Sequence, residues 1–149
     1  MKDIVRILED LATDKGLEYH YGKQAALNLL EGSATAGTTY LLHEYTKRKS
    51  EYNDSGTQIT STEYEGKFFL VKQSDFDQHY FQERGTQATS KYVTNIEPLL
   101  EVFNQMGNSL ACMGLAITQW DNVDVTDALD ANMDGLLCSY KIVIPYGYK

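Results

Sequence analysis

This chain has few cysteines, no long hydrophobic run and little positive charge. Its two cysteines, Cys112 and Cys138, form no CxxC pair, so reduced thiols in an intracellular setting are expected. No stretch approaches the ~20 apolar residues that a bilayer span needs, so no transmembrane helix and no membrane partner are expected. The first residues, "MKDIVRILEDLATDKG", place acids inside the apolar stretch and lack a small-residue cleavage site, which is not the pattern of a signal peptide. Thirteen Lys and Arg against 21 Asp and Glu leave a net charge of −8. A general nucleic-acid binder needs a clustered positive surface to displace counterions, so that class is disfavoured. Three histidines, His20, His43 and His79, are scattered, and no GxSxG elbow accompanies them. Nucleophilic catalysis has no sequence signature here.

A length of 149 residues corresponds to about one domain with a core of its own. Its 42% hydrophobic and 23% charged content is ordinary for a globular domain. Eleven tyrosines are unusual. Tyrosine is favoured where a surface must be wet alone and buried against a partner, which hints at assembly. The one basic cluster, Lys47 to Lys49, is followed by Glu51 and Asp54 and reads as a solvated loop edge.

Hydrophobic spacing predicts a helix over 3–15, with Ile4, Ile7, Leu8 and Leu11 on one face, Asp3 as its cap and Gly16 just past its end. Residues 17–31 are ambiguous: "LEYHY" alternates like a strand, and "KQAALNLLE" has helical propensity. "TTYLLHEYTK" and "QITSTEYEGKFFLVK" read as the strands of a long hairpin, with "RKSEYNDSGT" between them and the tip at Asn53–Gly56. Gly66 inside the second strand predicts a bulge or bend. Residues 74–90 read as a loop. A second helix is expected over roughly 92–109, capped by Asn95, with Pro98 in its first turn and a stripe of Ile96, Leu99, Leu100, Phe103 and Met106. "LAITQW" reads as a short strand. In the last strand Leu136, Cys138, Tyr140, Ile142 and Ile144 share a face, opposite Ser139 and Lys141. The expected fold is a single α+β domain over 1–149, a mainly antiparallel sheet with a long hairpin, packed by two helices.

Three stretches imitate functional motifs. "DANMDG", Asp130 to Gly135, begins like an EF-hand loop, but position 12 is Lys141 in place of the bidentate glutamate, and strand alternation follows where a helix should. It reads as a turn, with Asn132, Asp134 and Gly135 chosen for turn geometry. "GSATAGTT", Gly32 to Thr39, has P-loop-like glycines but Thr38 where the phosphate-binding lysine belongs. "HEYTK" from His43 carries Lys47 in place of the second zinc-ligating histidine. Cys138 lies on the apolar face of the last strand and behaves as a small hydrophobe, and Cys112 follows the helix stripe with Leu110 and is expected in or near the core. No catalytic, metal or cofactor residue is assigned, and no cofactor is expected.

The order of elements is similar to that of the tail-terminator and head–tail completion proteins of tailed bacteriophages. The phrases "FFLVKQSDFD" leading to "YVTNIEPLLEVF", and "DALDANMDGLLCSYKIVIP" at the end, resemble such chains. The counterparts are 3–15, 38–73, 92–109 and 114–144. The resemblance implies a virion protein, assembled in the host cytoplasm, that acts by assembly and not catalysis. It implies a homo-oligomeric ring, six- or twelve-fold, contacting other neck or tail proteins at the head–tail junction or tail end. DNA would pass through its lumen without specific binding, and acidic charge suits such a lumen. Another neck, tail-ring or tube component, and an unrelated small-ligand-binding or enzymatic domain, are the alternatives. The residues expected at the subunit interface are Tyr45, Lys47, Arg48, Tyr52, Ile59 and Tyr64 of a hairpin arm spanning about 45–64, together with Phe76, Tyr80 and Phe81. Between Thr46 and Thr62 the large apolar or aromatic residues are Tyr52 and Ile59, too few for such an arm to bury itself on its own domain.

Overall fold

A computed structural model describes residues 2–22, 37–73, 92–128 and 133–149. Helix α1 (Ile4–Asp14) starts where Asp3 adopts an extended conformation and its carboxylate accepts from the Val5 and Arg6 amides. These donors have no intrahelical partner, so the cap satisfies two of the four orphans. The helix ends at Lys15, and Gly16 follows with φ 72°. Ile4, Ile7, Leu8, Leu11 and Ala12 are its buried stripe.

The strands are β1 (Glu18–Tyr21), β2 (Thr39–His43), β3 (Lys47–Tyr52), β4 (Ile59–Gln73), β5 (Ala116–Ala128) and β6 (Met133–Pro145). They form one sheet in the order β1-β2-β4-β6-β5, with β3 also on β4. β1 and β2 are parallel and every other pair is antiparallel. The α+β architecture is therefore as expected. β4 is long enough to hold two partners along one edge. β2 pairs with Lys72 back to Phe68, and β3 with Glu65 back to Ile59. Residues 44–46 bridge the two, with the Glu44 amide donating to the Lys67 carbonyl.

Several expectations change. The basic cluster is not a loop: Lys47, Arg48 and Lys49 open β3, with exposed side chains on a paired backbone. The hairpin is not a free arm either. On its other edge β4 pairs with β6 as far out as Ser61 opposite Pro145, so a third strand supports most of the ribbon. The tip is where the turn residues placed it. There the Asn53 carboxamide oxygen accepts from the amides of Thr57 and Gln58. Gly66 makes no bulge, because it pairs in register with Tyr140; the register shift of the β3–β4 ladder lies between Glu51 and Tyr52. β5 runs 13 residues, well beyond "LAITQW".

A π-helical turn (Tyr92–Ile96) leads into helix α2 (Glu97–Cys112), with Pro98 in its first turn. Asn95 is not its cap. The cap position is Ile96, and the buried Asn95 side chain donates to the Asp134 carboxylate at 3.0 Å. Nor are Asp134 and Gly135 turn residues. Both lie buried within β6, and a Cβ on Gly135 would fall 1.9 Å from the Leu70 carbonyl oxygen. Glycine is there because two backbones approach closely. Residues 129–132, the glycine-rich stretch 32–36 and the loop expected at 74–90 lie outside the described residues.

Both helices cover one face of the sheet. There α1 and the α2 residues Leu99, Phe103, Met106 and Leu110 meet Leu41, Tyr64, Phe68, Leu70 and the even-numbered residues Leu136 to Ile144 of β6. The final strand therefore points as its alternation required. Phe103 stacks on Trp120 at 4.8 Å, and the Trp120 indole N–H donates to the Phe103 carbonyl. A second cluster of Tyr40, Leu42, Val71 and Met133 lies on the other face, and neither helix contributes to it.

Candidate functional site

The parallel pairing of β1 with β2 aligns Tyr19 with Leu41 and Tyr21 with His43. β1 stops at Tyr21, while β4 runs on to carry β3, so the sheet edge has a step between β1 and β3. The start of α1 lies beside this step. Together Asp3, Arg6, Glu9, Tyr19, Tyr21 and Arg48 line most of an open groove of about 530 Å³. Its charges are matched internally. Arg48 donates to Asp3 at 3.3 Å and Arg6 to Glu9 at 2.9 Å. Arg48 also lies over the Tyr64 ring, 5.8 Å from its centroid, a cation–π distance.

Behind the groove His43 is fully buried. Its Nδ1 lies 2.7 Å from the Tyr19 hydroxyl and its Nε2 2.6 Å from the Tyr140 hydroxyl. Tyr140 donates to Thr46 Oγ1 at 2.8 Å, and Thr46 donates to the Glu65 carbonyl at 3.2 Å. One tautomer satisfies every link: Tyr19 donates to Nδ1, and the Nε2–H donates to Tyr140. That tautomer is the neutral ring. Burial, with Arg48 nearby, brings the His43 pKa down to about 4, because a charged imidazolium is poorly solvated there. Burial likewise pushes the Tyr19 and Tyr140 hydroxyls well above the usual phenol range. At neutral pH the chain is a fixed set of hydrogen bonds tying β1, β2, β4 and β6 together. It connects a groove-lining phenol to the interior and takes up a proton only in acid.

In the sequence His43 stands out only as the start of a failed zinc motif and Tyr140 only as a core position of the last strand, with nothing to link them to each other or to Tyr19. The available signal was the alternation of "EYHY", which puts Tyr19 and Tyr21 on one side of a strand; Tyr140 is 97 residues from His43. Both cysteines are free thiols. Cys138 is buried, and burial raises its thiol pKa; Cys112, expected in or near the core, is instead exposed, because it closes α2 two residues beyond Leu110, the last of its buried stripe.

The residues expected at an interface separate into distinct environments. Tyr45 and Tyr52 are 65% and 57% exposed. Lys47 and Arg48 are exposed on β3, and Ile59 is half-buried. Tyr64 is corrected: it is 2% exposed and belongs to the subunit's own core, because its position on β4 points to the helix face. Phe76, Tyr80 and Phe81 lie outside the described residues. Two further tyrosines at the surface are Tyr21, 37% exposed, and Tyr146, 62% exposed. Among the described residues no group of three or more His, Cys, Asp or Glu is arranged to hold a metal ion, and no helix is long and apolar enough to cross a membrane. Compared with models of known protein families and with curated protein sequences, the chain matches none of them.

Proposed function

We propose that this chain is a structural subunit that works by assembling into a ring, at the head–tail junction or tail end of a bacteriophage particle. The observation that carries the reading is the β3–β4 hairpin together with the 44–46 link at its base. It has a defined backbone, supported by β6, and a tip tied by Asn53, yet it presents Tyr45 and Tyr52 to solvent beside Lys47, Arg48 and Lys49. Ordered, exposed aromatics beside charge are the composition of protein–protein interface cores and rims. The acidic balance of −8 suits a lumen through which DNA moves without adhering.

Size-exclusion chromatography with light scattering, followed by negative-stain imaging, tests the reading. A discrete species of six or twelve copies with a central hole is expected. A monomer or dimer at tens of micromolar would overturn it.

The groove favours a second reading, a domain that binds a small polar ligand against Tyr19 and Tyr21. Ligand-induced changes confined to these tyrosines in a fragment screen, with no large species present, would establish that reading instead.

A further inference from the structure

Among the described residues two long edges of the sheet are left without a further strand, β3 on one side and β5 on the other, and their sequences differ in charge. Both therefore offer rows of backbone N–H and C=O groups that can template another strand. β3 reads "KRKSEY", three cations and one acid, and β5 reads "AITQWDNVDVTDA", three aspartates and no cation. Facing directions match as well. Arg48 pairs with Tyr64 of the helix face, so Lys47 and Lys49 project from the opposite face of the sheet. Val125 belongs to the cluster on that opposite face, and alternation places Asp121 and Val123 there with it. Lys49 is 64% exposed on its side chain and lies 3.2 Å from Glu51 on its own strand, and Val123 is 57% exposed overall. The third edge, β1, has four residues.

Resting on the ring reading above, we infer that the β3 edge of one copy pairs with the β5 edge of the next, so that the sheet continues from subunit to subunit. Pairing of like edges, β3 on β3 or β5 on β5, sets equal charges opposite one another and is disfavoured. Pairing of unlike edges is heterologous, and a heterologous contact propagates head to tail instead of stopping at a dimer, giving a ring where the rotation between copies closes. The backbone supplies the strand pairing, and Lys47 and Lys49 against Asp121 fix which edges meet.

Cysteine cross-linking tests this. With Cys112→Ser to remove the exposed thiol, Lys49→Cys is combined in turn with Gln119→Cys, Asp121→Cys and Val123→Cys. Within one subunit β3 and β5 are separated by β4 and β6. That is three strand spacings, about 14 Å, beyond the reach of a disulfide. The expected result is a ladder of dimers, trimers and higher species under oxidation for at least one pair, reversed by reductant and absent with Lys49→Cys alone. Raising NaCl from 0.05 to 0.5 M is expected to weaken the wild-type assembly, since the edge charges are screened. A pair that dissolves the assembly while the subunit melts unchanged also supports the contact. Assembled variants that give no ladder overturn the edge pairing and leave the ring reading standing. A wild-type protein that is monomeric throughout removes both.

Discussion

The Tyr140 phenol lies across Gly66 on the neighbouring strand, where a Cβ would stand 2.5 Å from the hydroxyl and 2.9 Å from its ring carbon. The absence of a side chain on β4 is what lets the Tyr140 hydroxyl reach both His43 and Thr46. Gly66→Ala is expected to cost roughly 1–3 kcal/mol, as for overpacking, because a fully buried ring must move. Tyr140→Phe leaves the His43 N–H unpaired and is expected to cost about 1–3 kcal/mol. In urea melts the double variant should fall short of the sum, since both changes act on one contact. Strict additivity would show that the two residues are not coupled.

His43 makes stability depend on pH. Its native pKa of about 4 lies below its ordinary value of 6.5, so the unfolded chain binds the proton first. The contribution is complete above pH 6.5 and is lost as pH falls towards 4, by which point the loss amounts to about 3 kcal/mol. His43→Gln should remove that part of the slope between pH 6.5 and 4 in denaturant melts. An unchanged slope would contradict the buried neutral ring.

Ile142 is fully buried on β6 and its neighbour Lys141 points to the other face. Ile142→Ala is expected to cost roughly 2–5 kcal/mol, and Lys141→Ala about 0.5 kcal/mol or less. Thermal denaturation of the two variants distinguishes them, and equal costs would refute the face assignment.

Tyr45, Tyr52 and Tyr64 separate assembly from folding. Tyr45→Ser/Tyr52→Ser should leave the subunit's melting within a few degrees of wild type while shifting the large species towards monomer. Tyr64→Ala, which empties a core position, should cost roughly 3–5 kcal/mol of subunit stability. Loss of folding in the first variant, or unaltered assembly, would remove these exposed tyrosines from the interface.

Local information determined α1, β6 and the hairpin tip. Asp3 and Gly16 bracket an amphipathic stripe, the alternation from Leu136 to Ile144 has one buried face, and Asn53 organises a turn from its own side chain. Each of these depends on residues close in the chain, so pattern and propensity suffice. What tertiary structure decided depends on distant partners. Tyr64 is in the core because β4 turns its even positions towards the helices. Asn95 gives up a helix cap because Asp134 is buried 39 residues away and needs a donor. Lys47–Lys49 form a strand because the long β4 still has a free edge there. Gly66 and Gly135 read as bend and turn in sequence. They are glycines because Tyr140 and the Leu70 carbonyl occupy the space a Cβ would take. The His43 chain draws on β1, β2, β6 and the 44–46 link, and only their packing brings a lone histidine between two phenols. Sequence periodicity reports which face of an element is buried, but which atoms meet across that face is settled by the register between strands.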